Sequence, residues 1–183
     1  MNRTKIKISK LEGVRRQVET AIRIYFVNGD PVSVHTLAAA SLQVLVDLDK
    51  KGPETGTFWD LLKTHVKPEH VSEVIKLFAE AENFLKHADR DPDKILEFPL
   101  AMPELFLWEC VAKYPELTDE TPLLMHAYRI WFLIHHSDIL KAEFQVQVNF
   151  FCLSTDFPEN DRGRFFEYIL PILAKKVMAE KGQ

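Results

Sequence analysis

The chain has 183 residues, of which 46% are apolar and 27% charged. That is the make-up of a globular protein of one domain, not of a disordered or fibrous one, and such a chain buries roughly 70% of its unfolded surface. Six glycines are too few for a turn-rich all-β fold or a glycine-rich phosphate loop, and a formal charge of −4 excludes a general attraction to DNA or to an anionic membrane.

Residues 1–8 read as a loose basic tail. Ser9 is a helix N-cap and Glu12 completes a capping box. Leu11, Val14, Val18, Ala21, Ile22 and Tyr25 then recur at helical spacing, and Asn28-Gly29 is a C-cap pair. Asp30 caps a second helix with Pro31 at its first position, where the missing N–H is harmless. That helix is apolar on nearly every side until Lys50, Lys51 and Gly52 end it, which places it in the middle of a bundle. A short amphipathic helix follows over 58–66. A longer one opens at Pro68-Glu69 with a stripe of Val71, Val74, Ile75, Phe78, Ala81 and Leu85. Residues 88–98 read as an internal loop, with extended character at 95–98. A helix over 102–114 is expected to stop before Pro115, and another covers 121–136, opened by Pro122. The segment 138–153 fits a strand or a helix. The last helix runs from about Glu159 to Lys181, with a kink expected at Pro171. The sum is a single domain over 1–183, an all-α bundle of six to eight helices.

Cys110 and Cys152 both sit in apolar runs, as small buried hydrophobes do in a reducing compartment. The first residues lack the apolar segment of a secretory signal, and no apolar stretch reaches the roughly 18 residues that span a bilayer. The expected location is the cytoplasm, without membrane contact. Residues 1–23 hold seven basic side chains (Arg3, Lys5, Lys7, Lys10, Arg15, Arg16, Arg23) against Glu12 and Glu19, a net +5, leaving −9 for the remainder. A solvated helix face accounts for this excess, and so does a docking patch for an acidic partner or RNA phosphates.

Polar residues gather in three places. Arg23, Asp30 and His35 fall near the Gly29 turn, at a helix N-terminus that attracts anions, although a neutral His35 also fills core space. Asn83 and His87 share a helix face beside Lys86, with Asp89 and Arg90 following. That group suits proton transfer or phosphate contact, and it suits an ordinary helix end equally. Arg129 and His136 are seven apart, which returns them to one helix face. An arginine and a histidine so placed hold a phosphodiester and move a 2′-OH proton without a metal. The plainer account is an arginine snorkelling past Trp131 while the histidine ends the helix. No His-Glu-x-x-His or Glu-x-x-His pair occurs, so neither a metal nor another cofactor is expected.

The stretches ISKLEGVRRQVETAIRIYFVNGDPVSVHTLAAASLQVL and AENFLKHADRDP resemble a family of uncharacterised bacterial all-helical proteins, over most of residues 8–92. More distantly, the Asn-x-x-Lys-His helix end looks like the HEPN superfamily (higher eukaryote and prokaryote nucleotide-binding). Many of its members are dimers, and many are metal-independent ribonucleases or degenerate relatives. Their signature is an Arg and a later His with four to six residues between them. Arg129 with His135 or His136 fits that spacing, although apolar Ile130 stands where a polar residue is usual. The resemblance implies a HEPN-like homodimer that serves as an interaction or regulatory module. It also implies the alternative of a ribonuclease, with Arg129 on phosphate, His136 as acid–base, and Asn83, Lys86 and His87 lining the cleft. A third expectation is a binder of a small anion or nucleotide through His35 or the 83–90 cluster.

Overall fold

A computed structural model describes residues 5–49, 68–87, 92–136 and 161–181. It is an all-α bundle. Among the described residues are six helices, α1 (Lys10–Phe26), α2 (Pro31–Leu48), α3 (Pro68–Lys86), α4 (Met102–Thr118), α5 (Leu123–His135) and α6 (Arg162–Lys181), and no strand. The helix expected over 58–66 and the ambiguous segment 138–153 lie outside the described residues.

α1 starts as its sequence dictates. The Ser9 hydroxyl accepts from the Glu12 N–H at 3.1 Å, and Val14, Val18, Ala21, Ile22, Tyr25 and Phe26 form its buried stripe. It ends on a Schellman turn, in which Asn28 N–H donates to Tyr25 O and Gly29 N–H to Ile24 O. Asn28, not the glycine, takes the left-handed conformation at φ 53°. Gly29 is needed for a different reason. A Cβ there would come within 2.7 Å of Ile24 Cγ2 and 3.0 Å of its carbonyl oxygen.

The turn delivers the chain to Asp30, whose carboxylate accepts from the Ser33 N–H at 2.8 Å and so caps α2. α2 packs against α1 and α4 and touches α3. Val34, His35, Ala38, Ala39, Ser41, Leu42 and Leu45 are buried there, which explains why its apolar residues run round the helix. It stops at Leu48, with Asp49 as C-cap, short of the lysines expected to end it. This is the one described helix long and apolar enough to cross a membrane.

α1 also reaches α4, α5 and α6. Phe26 packs against both α5 and α6. Its ring stacks on Phe166 at 4.4 Å and meets Tyr128 and Trp131 edge-on. Full burial of such a side chain is worth about 1.5–3 kcal/mol. Trp108 stacks on Phe132 at 4.3 Å and ties α4 to α5.

Two expectations are corrected. α4 does not stop before Pro115 but runs through it to Thr118. Proline's fixed φ is itself helical, and half-buried Leu117 packs on the core, offsetting the lost hydrogen bond. The helix closes at Asp119, which is left-handed at φ 56°. α5 ends at His135, one residue short of the expected range, and His136 is its C-cap at φ −121°. The last helix begins at Arg162, where the Asp161 carboxylate accepts from the Arg164 N–H at 3.1 Å. Pro171 lies inside it, as expected.

Candidate functional site

Tyrosine and tryptophan side chains carry a polar tip on an apolar body, so burying them requires a partner for the tip. Tyr25, at the end of α1, solves this for two helices at once. Its hydroxyl donates to Glu104 Oε1 at 2.6 Å and accepts from Trp131 Nε1–H at 3.0 Å. Glu104 stands in the first turn of α4, where the helix dipole favours a carboxylate. The Tyr128 hydroxyl donates to the Glu104 backbone oxygen at 2.7 Å. The Arg162 guanidinium from α6 lies 4.2 Å from the centre of the Tyr25 ring. Burial, and then the Glu104 charge, push the Tyr25 hydroxyl well above the usual tyrosine range, so it stays a donor.

His136 closes the outer side of this group. Its Nε2 is 3.6 Å from Glu104 Oε1, close enough for an ion pair when the ring is protonated, and its side chain keeps 34% exposure against 17% for the glutamate. That distance is too long for a hydrogen bond. His135 turns inward. Its ring stacks on Trp131 at 3.6 Å, and Nδ1 lies 2.9 Å from the Trp131 carbonyl oxygen.

A second polar group joins α2 to α4. Lys113 Nζ bonds Asp49 Oδ2 at 2.6 Å, with side-chain exposures of 3% and 10%. Glu109 lies one turn earlier on α4 and is also buried. Its Oε2 has no hydrogen-bond partner among the described residues. Burial lifts its carboxyl to about 7, against the pull of Lys113. Next to it the Cys110 Sγ–H points to Ala38 O at 3.3 Å, and burial raises this thiol far above the range of a reactive thiolate.

His35 is the third feature. Its exposure is 0%, so no water-sized space touches it. The rings of Phe98 and Phe106 meet it edge-on at 5.3 and 4.6 Å, and neither ring nitrogen has a hydrogen-bond partner among the described residues. Burial lowers its pKa to about 4, with the Glu82 charge opposing and Lys86 reinforcing.

The structure redistributes the residues singled out in the sequence. His136 is the cap of α5, and among the described residues no hydrogen bond or ring contact joins it to Arg129. Arg129 is exposed on α5, while His136 faces Glu104. Arg23 and Asp30 are exposed too, and Asp30 is engaged with Ser33, so no corner forms between them and buried His35. Instead His35 comes within electrostatic reach of Glu82 and Lys86, which pair with each other along α3. Asn83 and His87 are exposed. Asp89 and Arg90 lie outside the described residues.

Sequence reasoning missed Tyr25, Glu104, Trp131 and Arg162 as a unit, and Asp49, Glu109 and Lys113 as another. For the second unit a signal existed. Glu109 and Lys113 are four apart in the otherwise apolar stretch 105–114, which requires buried partners. For the first, only the polar tips of Tyr25 and Trp131 hinted at one. Among the described residues no group of three or more His, Cys, Asp or Glu could hold a metal ion. No family model, curated protein or solved structure matches the chain.

Proposed function

We propose that this chain is a HEPN-like interaction or regulatory module, a helical scaffold that acts by docking rather than by turnover. The observation that supports the reading is that Arg129 and His136 have different surroundings. A metal-independent phosphodiesterase needs its phosphate ligand and its acid–base group on one reacting centre. Here the arginine stands in solvent and the imidazole faces a carboxylate. The polar tips of Tyr25 and Trp131 are likewise satisfied from within the bundle. Apolar side chains left outside, among them Ile95, Leu100, Ile172 and Met178, favour association, and a homodimer in the cytoplasm belongs to this proposal.

Incubating the purified chain with single-stranded and structured RNA tests it. Intact RNA, with Arg129→Ala indistinguishable from wild type in cells, is the expected result. Cleavage that disappears in both Arg129→Ala and His136→Ala would overturn it. One observation favours the second reading, a ribonuclease. His136 keeps a third of its surface open beside Glu104, which is how a base is oriented by an acid. In that case His136→Ala and Glu104→Gln abolish cleavage together, and Arg162 supplies the cation that Arg129 does not.

A further inference from the structure

The N-terminal end of α1 carries a feature that the bundle itself does not use. A groove of about 340 Å³ opens between this end and α2, walled by Ile8, Val14 and Val44 and edged by Lys10 and Gln17. That volume is at the lower end of the roughly 300–1,000 Å³ that enclose ligand-sized groups. Gly13 forms part of its lining. A glycine inside a helix costs about 1 kcal/mol relative to alanine, and packing gives no reason for one here. A Cβ at Gly13 would meet only Ile8 Cδ1, at 3.8 Å. The missing side chain therefore serves the groove. Gln17 is fixed by Ser41, whose hydroxyl donates to Gln17 Oε1 at 3.1 Å. This leaves the Gln17 amide N–H groups without a partner among the described residues.

The rim is basic and unneutralised. Lys5, Lys7 and Lys10 are exposed, and none makes an ion pair among the described residues. Arg15 and Arg16, by contrast, are engaged with Glu19 and Glu12. Residues 5–9 are non-helical, and Ser9 is extended at φ −80°, ψ 167°. Along them Lys5, Ile6, Lys7 and Ile8 alternate, with Ile6 69% and Ile8 47% exposed. The backbone groups of residues 5–8 have no hydrogen bond among the described residues. A basic and aliphatic alternation with unpaired backbone is complementary to a chain segment that alternates acidic and aliphatic side chains.

We infer that this groove and the segment leading into it form a docking site for an extended, acidic peptide segment of a partner protein. Its aliphatic side chains enter between Ile8, Val14 and Val44, and its carboxylates meet Lys5, Lys7 and Lys10. The apolar walls favour such a peptide over RNA, whose phosphates offer nothing to Ile8 or Val44. The inference rests on the docking reading above and gives it a place and a partner chemistry.

The test is fluorescence anisotropy of the full chain with a labelled peptide, Glu-Leu-Glu-Val-Glu-Leu, beside its Lys-for-Glu counterpart and a ten-nucleotide RNA. The acidic peptide is expected to bind at least tenfold more tightly than either control, and less tightly as salt is raised. Gly13→Leu fills the groove without displacing backbone, and Lys5→Glu with Lys7→Glu reverses the rim on a segment that no helix depends on. Each should weaken binding at least tenfold while circular dichroism is unchanged. Absent peptide binding, binding indifferent to Gly13→Leu, preference for the RNA, or a change of sedimenting mass in Gly13→Leu that marks a second copy as the occupant would each overturn the site. Peptides selected from a random library that bind wild type and Gly13→Leu alike would sink this groove and leave the docking reading standing. Arg129- and His136-dependent RNA cleavage would sink that reading whatever the peptide does.

Discussion

Two buried groups titrate in the same pH range with opposite effects on stability, and separating them is the sharpest check on the packing of α2 and α4. His35 has its pKa lowered from 6.5 to about 4 by burial. Below 6.5 the unfolded chain takes up a proton that the folded chain refuses, so stability is full above pH 6.5 and is lost as pH falls toward 4. Glu109 is the reverse. Its pKa is raised from 4.5 to about 7 by burial. The folded chain keeps a proton that the unfolded chain releases, so stability is full below pH 4.5 and is lost as pH rises toward 7. At about 1.4 kcal/mol per pH unit, each gap amounts to about 3 kcal/mol. Across that window the two slopes cancel, and wild type should show almost no pH dependence from this pair.

Single substitutions expose each slope. His35→Leu leaves Glu109 alone, so the variant's stability should fall by about 3 kcal/mol between pH 4.5 and 7. Glu109→Gln leaves His35 alone, so stability should rise by a similar amount between pH 4 and 6.5. The double variant should be flat again. Urea unfolding followed by circular dichroism at half-unit pH intervals measures this, and differences between variants remove the background of the exposed carboxylates. His35→Leu should also be the more stable protein at pH 7, by about 1–3 kcal/mol, since it removes two buried nitrogens that lack partners. A His35→Leu profile parallel to wild type would refute the argument, because it would mean that the imidazole is hydrated or paired in solution.

Two further predictions concern the other buried polar groups. Asp49→Ala removes a carboxylate that bonds the buried Lys113 ammonium and should cost about 1–3 kcal/mol in urea unfolding; adding Lys113→Met should recover most of the loss. Tyr25→Phe removes the donor to Glu104 and the acceptor of the Trp131 indole N–H, and should cost about 1–3 kcal/mol. Its tryptophan fluorescence should shift as the indole environment changes. An unshifted spectrum with unchanged stability would argue against the network.

The helices were legible where local chemistry decides them. Asp30 with Pro31 and the stripe from Val14 to Tyr25 act within a few residues and do in the structure what their spacing predicts; of the capping box at Ser9 and Glu12 the Ser9 hydroxyl half forms, while the Glu12 carboxylate pairs with Arg16. Errors came where packing overrides a local rule. Pro115 breaks an isolated helix, but here Leu117 is held by the core and draws the helix one turn further. The end of α5 was misplaced by one residue, since His136 is its cap and faces Glu104 of α4, and helix ends are where sequence signals are weakest. The Tyr25–Glu104–Trp131 group was beyond reach for another reason. Its members are separated by 79 and 106 residues from Tyr25, and no spacing rule joins positions on three helices.

The placement of these polar groups bears on how the bundle is specified. An apolar helix such as α2, greasy on most sides, can slide or rotate against its neighbours with little penalty, because one aliphatic contact replaces another. A buried polar tip cannot, since a shift of one turn strands it without a partner. Tyr25 fixes α1 to α4 and α5 through Glu104 and Trp131, and Lys113 fixes α4 to the end of α2 through Asp49. Between them these contacts set the register of four of the six described helices. These polar side chains are thereby committed to the geometry of the bundle, and among the described outer groups two stand out: His136 at the end of α5, and the basic segment and groove at the start of α1. Of these, only the second combines an apolar recess with unpaired charge, and that combination makes docking at α1 the stronger reading.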